Sequence, residues 1–193
     1  GTLETIAKEY ITDKVKTTED AIKGAGYIIA ENVSDNSRFR SWIRKYTYNN
    51  GNMTSKMKKN AEDENKVYDM YYEYTEPVKQ VKHHRVLALN RGEKEGVLNV
   101  SIVVDEAPIL EHMEKFTIKN KNSFVAPVVK EAIKDAYARL ISPSIEREIR
   151  ADLTEKSSEA AISVFAKNLE KLLLQPPMKD KMVLGLDPAF RTG

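Results

Sequence analysis

A chain of 193 residues can bury its own core without staples, and with no cysteine it holds no disulfide, no thiolate zinc site and no Cys nucleophile. The 31 Lys and Arg nearly balance the 29 Asp and Glu, leaving a net charge of +2, so the chain is not a basic arm and the placement of charge matters more than its sum. Apolar runs such as Ile102-Val103-Val104 fall far short of the ~20 residues of a membrane span, and residues 1–30 carry no signal-peptide core.

Leu3, Ile6, Ala7, Tyr10 and Ile11 recur at helical spacing and predict a first amphipathic helix. Thr17 caps a second, with Asp20 three residues on and Ala21, Ile22, Ala25, Ile28 and Ile29 as its apolar set. Gly24 and Gly26 inside it suggest close helix–helix contact. Ser34 is the expected cap of a third helix carrying Phe39, Trp42, Ile43 and Tyr46, which Asn49-Asn50-Gly51 ends. The basic segment Met53–Asn60 reads as a short helix. With the preceding pair it suggests a helix-turn-helix-like layout. A Tyr-rich helix over about Val67–Tyr74, closed by Pro77, and a helix over His84–Arg91, stopped by Gly92, follow.

The alternation of Leu98, Val100, Ile102 and Val104 with their neighbours predicts a strand over 97–104. Its expected partner is the apolar run Met182–Leu186. Residues 106–122 read as irregular or a short polar helix. A helix from Ser123 to about Ile141 should stop at Ser142-Pro143-Ser144. A long helix then runs from Ile145 to Leu173 and ends before Pro176-Pro177. The expected fold is mainly α: a multi-helix array with a helix-turn-helix-like part, one long helix and one or two short strands, with under about a fifth of residues in strands.

The charges are segregated. Arg38, Arg40, Arg44, Lys45, Lys56, Lys58 and Lys59 share an acid-free window from Asn36 to Asn60, and Glu62, Asp63, Glu64, Asp69, Glu73 and Glu76 follow it. Clustered cations neutralise phosphates and interleaved rings stack on bases, so those seven are the candidate nucleic-acid contacts. An ordinary solvated helix face gives the same pattern. The spacing of Phe39, Trp42 and Tyr46 favours core, which makes Trp42 mainly structural. His83, His84 and His112 have no HExxH or Cys partners, no GxSxG occurs, and Gly24-Ala25-Gly26 is no phosphate loop, so neither a catalytic set nor a metal or cofactor site is expected. Asp187 closes the strand-like run Val183–Leu186, as a first metal-binding carboxylate does in ribonuclease H-like nucleases, or as an ordinary turn residue.

Four stretches, His84–Glu93, Ile141–Glu148, Ala161–Leu174 and Val183–Gly193, resemble segments of the Tex family of bacterial transcription accessory proteins. His84-Arg85-Val86-Leu87-Ala88-Leu89-Asn90-Arg91-Gly92-Glu93 is similar to its "HRxLAxxRGE" segment. Ile141–Glu148 resembles its "xxPSxExE" helix start, and Ala161–Leu169 with Leu172-Leu173-Leu174 resembles its "AIxVFxxNLxxLLL" helix. Val183–Gly193 resembles the opening of its YqgF domain, with Ala189 where the family pattern has Gly. The start at Gly1 and the stop at Thr192-Gly193 suggest an engineered fragment, and the resemblance implies a fragment made of a helical region over 1–182 and the truncated start of a ribonuclease H-like domain over 183–193. It implies a cytoplasmic, non-enzymatic scaffold associated with RNA, DNA or the transcription machinery, with no membrane and no small-molecule substrate. A piece of a nuclease or junction resolvase using Asp187, and a protein–protein module docking through 145–174, are the alternatives.

Overall fold

The computed structural model describes residues 2–12, 15–120, 122–176, 179, 181–182 and 184–186. Its elements are α1 (Leu3–Ala7), α2 (Thr18–Ser34), α3 (Ser37–Asn50), β1 (Asn52–Met57), β2 (Glu73–Pro77), α4 (His83–Lys94), β3 (Leu98–Val103), α5 (Ala107–Thr117), α6 (Ala126–Asp135) and α7 (Ser142–Leu173). The fold is mainly α, and the three short strands form one sheet in the order β2-β1-β3.

Helix α7 organises the rest. Ile145, Ile149, Leu153 and Ser157 recur every four residues, and all four are buried. On one side of that stripe lies α3, on the other α4. Helix α6 does not stop at Ser142-Pro143-Ser144 as expected. It continues through a π-helical stretch, Ala136–Ile141, directly into α7. Pro143 has no N–H, and its ring collides with the carbonyl four residues back in a regular helix. Widening the preceding turn, so that the Ser142 N–H donates to the Tyr137 carbonyl five residues away, accommodates it without a break.

Several local signals resolve as read. Thr17 Oγ1 accepts from the Asp20 N–H at 3.1 Å, opening α2, and Gly51 follows the end of α3. The cap of α3 is Asn36, whose Oδ1 accepts from the Arg38 and Phe39 N–H groups, while Ser34 is still in α2. Gly24 and Gly26 make no close helix contact, because a Cβ at either would meet nothing within 4 Å. Residues 107–117 form the short helix α5.

The sheet corrects three expectations. Residues 52–57 form its central strand, β1, with Met53 and Ser55 buried, so the third helix of a helix-turn-helix-like layout is absent there. The Tyr-rich segment is a 3₁₀ turn at Asp69–Tyr71 leading into β2. And β3 pairs antiparallel with β1, Asn52 opposite Val103 through Met57 opposite Leu98. Met182, Leu184, Gly185 and Leu186, the expected partner, are exposed and outside any strand. Val183, Asp187 and the rest of 187–193 lie outside the described residues.

The outer edge of β3 would expose unpaired backbone groups, and α7 covers it. Glu146 accepts from the Ile102 N–H at 3.0 Å, and Arg150 Nη1 donates to the Val100 carbonyl at 3.3 Å. Arg150 also pairs with Glu93, and Asn90 donates to Thr154 Oγ1 at 2.8 Å, which locks α4 antiparallel along α7.

Candidate nucleic-acid interface

Helix α3 places its bases on two faces. Arg40 and Arg44, one turn apart, turn toward α7. Arg40 Nη2 lies 2.6 Å from Glu148 Oε1 and 2.6 Å from Ser144 Oγ, and Arg44 Nη2 lies 2.6 Å from Asp152. Both partners of these ion pairs keep part of their surface in water, so each pair is worth about 1 kcal/mol or less, but together they hold α3 parallel to α7. Their charge is committed to carboxylates of α7. Arg38 and Lys45 point to solvent, with no ion-pair partner within 4.0 Å among the described residues.

Lys56, Lys58 and Lys59 are exposed elsewhere, at the end of β1 and just beyond it. Lys56 sits opposite Glu73 in the β1–β2 ladder, and the Lys58 N–H donates to the carbonyl of Val97, the residue before β3. The seven candidates thus divide into two cations bound to α7, two on the open face of α3 and three at the far end of β1.

The rings resolve as structure. Trp42 stacks on His112 of α5 with centroids 3.8 Å apart and planes 3° apart, and Tyr46 also stacks on Trp42, at 5.2 Å. Phe39 meets the edge of His112. A ring stacked on two neighbours is engaged in packing, as its helical spacing suggested for Trp42. Burial, aided by the charge of Lys115, holds the His112 imidazole below the usual histidine range. The fold therefore favours the neutral ring. An unfolded chain binds the proton near pH 6.5, so this contribution to stability is complete above about pH 6.5 and is lost as the pH falls toward the lower folded value. Thermal melts at two pH values should show stability falling on acidification, and His112→Phe, which keeps the stacking, should flatten that fall. An unchanged pH dependence in the variant would contradict the assignment.

Two carboxylates of the acidic window are also structural. Asp63 accepts from the Val67 and Tyr68 N–H groups and the Tyr72 hydroxyl; burial works to raise its pKa, but these bonds keep it below the usual range. Glu76 lies 2.8 Å from Arg85 and also accepts from the Tyr74 hydroxyl; the two donors outweigh burial and lower its pKa.

The recognisable stretches now have physical roles. In His84–Glu93, Val86, Leu89 and Gly92 are buried, and Arg85, Asn90 and Glu93 bind Glu76, Thr154 and Arg150. In Ile141–Glu148, Ser144 and Glu148 hold Arg40 while Glu146 covers β3. These long-range partners leave no local signal. Ala161–Leu174 is different, because every residue in it is exposed, Phe165 and Leu173 among them. Among the described residues no group of three or more His, Cys, Asp or Glu could hold a metal ion, and no helix is long and apolar enough to cross a membrane.

Comparison with known proteins matches residues 2–165 to a family model described as Tex central region-like. The chain is 53% identical to YdcI of Bacillus subtilis (strain 168), over 99% of this chain and 27% of that protein. It is 28% identical to the transcriptional accessory protein Tex of Neisseria gonorrhoeae, over 99% of this chain and 26% of that protein. It is likewise 28% identical to S1 RNA-binding domain-containing protein 1 of Homo sapiens, over 95% of this chain and 20% of that protein. The chain thus spans about a quarter or less of the length of these relatives.

Proposed function

The chain belongs to the Tex family, and from that premise we propose that it is a non-enzymatic helical scaffold through which a transcription accessory protein contacts nucleic acid. The observation that carries this reading is the division of labour along α7. Its first half binds α3, α4 and the edge of β3 through Ser144, Glu146, Glu148, Arg150 and Asp152, while lysines around that frame stay exposed. Relatives named as a transcriptional accessory protein and as an S1 RNA-binding domain-containing protein support the class of partner. Contact through phosphates rather than base edges is expected, because exposed lysines without a grooved recognition helix neutralise charge but do not read sequence. The test is to incubate the chain with end-labelled RNA and with duplex DNA in Mg²⁺ or Mn²⁺. Retarded but intact strands are expected; strand cleavage would overturn the non-enzymatic role and return Asp187 to consideration as a metal ligand.

A second reading, docking of another protein, is favoured by one observation: Ile162, Phe165, Leu169 and Leu172 lie at a three- and four-residue spacing on the free half of α7, all exposed. Phe165→Asp with Leu169→Asp should leave the melting temperature nearly unchanged while abolishing any such association.

A further inference from the structure

We propose that the phosphate backbone of a single-stranded nucleic acid is held where α3 ends, α4 begins and both meet α7, by Lys79, Lys82 and Lys156, with the ring of Tyr48 beside them. This rests on the reading of the chain as a nucleic-acid-contacting scaffold and moves the contact away from Lys56, Lys58 and Lys59.

Three ties bring these residues together. The pairs Arg40–Glu148 and Arg44–Asp152 set α3 parallel to α7 at a constant offset, which carries Tyr48 to the level of Lys156. The Val78 N–H donates to the Gly51 carbonyl at 3.0 Å, so the 3₁₀ turn Val78–Gln80, and Lys79 with it, crosses at the end of α3. His83 Nδ1 lies 3.3 Å from Ser157 Oγ, which seats the start of α4 next to Lys156. Helices α3 and α4 thus deliver opposite ends to one level of α7.

The chemistry there favours an anion. Lys79, Lys82, His83 and His84 are exposed, and Lys79 and Lys82 have no ion-pair partner within 4.0 Å among the described residues. Lys82 precedes α4 without a side-chain cap, so the first N–H groups of that helix add partial positive charge to the same surface. Of the carboxylates at this level, Glu76 is engaged by Arg85, and Asp152 lies 2.6 Å from Arg44 and 3.9 Å from Lys156, so one carboxylate is shared between two cations. At the end of β1, by contrast, Lys56 faces Glu73 across the ladder and Glu62, Asp63 and Glu64 follow in the chain, so a phosphate there meets like charge. Tyr48 is exposed enough to offer a face to an unstacked base, which selects a single strand.

The test compares two variants of the full chain with equal charge change: Lys79→Gln/Lys82→Gln/Lys156→Gln and Lys56→Gln/Lys58→Gln/Lys59→Gln. Both alter only exposed side chains, and a melt checks that each folds. Binding of a short labelled single-stranded RNA is followed against salt. The first variant should bind at least tenfold more weakly at low salt, and its salt slope should fall by about two, three contacts at about 0.7 each. The second should stay near wild type. Equal binding by the first variant and wild type, or a larger loss in the second, overturns this placement while leaving the scaffold reading intact. No binding by wild type at low salt overturns both.

Discussion

Ile149→Ala should lower stability by about 2–5 kcal/mol, the range for truncating a fully buried aliphatic side chain. Ile149 is 1% exposed, in the middle of the stripe through which α7 joins the core. For a chain of this length each kcal/mol shifts the melting temperature by about 2–4 °C, so the transition should drop by roughly 4–20 °C. Leu172→Ala removes as much apolar side chain from the same helix, but Leu172 is 60% exposed, and its cost should stay within about 0.5 kcal/mol. Thermal melts of the two variants side by side check the expectation. Equal shifts would mean that α7 is not divided into a packed half and a free half.

Gly92→Val should also be costly, through crowding rather than a cavity. A Cβ at Gly92 would stand 2.6 Å from Leu98 Cδ1, 2.9 Å from Leu98 Cγ and 3.0 Å from Tyr68 Cδ1. Leu98 is fully buried and Tyr68 nearly so, which leaves neither ring nor branch room to withdraw. Overpacking of this kind costs about 1–3 kcal/mol or more. The helix-propensity gain on replacing a glycine is under about 1 kcal/mol and does not offset it. Gly26→Ala is the opposite case. It lies inside α2 with nothing within 4 Å of the added Cβ, so it should stabilise by about 0.5–1 kcal/mol. Urea titrations of both variants should give shifts of opposite sign; destabilisation by Gly26→Ala would show that α2 is packed more closely than its geometry indicates.

These two glycines also show what the sequence made legible. Gly24 and Gly26 have the spacing of a helix-packing device, yet a Cβ at either meets nothing within 4 Å, whereas Gly92, outwardly a helix stop, packs closely against Leu98 and Tyr68. Helices with a clear 3.6-residue period and a local cap were readable, as Thr17 with Asp20 and Asn49-Asn50-Gly51 show, because their determinants lie within one turn. Strand β3 was readable from its alternating valines and isoleucines. Strand β1 was not: its buried face is Met53 and Ser55, with no β-branched run, and tertiary pairing on both edges makes it a strand. The site followed the same rule. Seven bases in one window are visible in sequence, but that Arg40 and Arg44 are bound to carboxylates over a hundred residues away is a property of the fold. So is the convergence of Lys79 and Lys82 with Lys156.

The scaffold reading is tested most directly by the affinity of the chain for a short single-stranded RNA before and after a fourfold rise in salt. Three to five phosphate contacts at about 0.7 each predict a loss of roughly twentyfold to a hundredfold, the same for a strand of scrambled sequence. No binding at low salt, or an affinity indifferent to salt, would contradict the account.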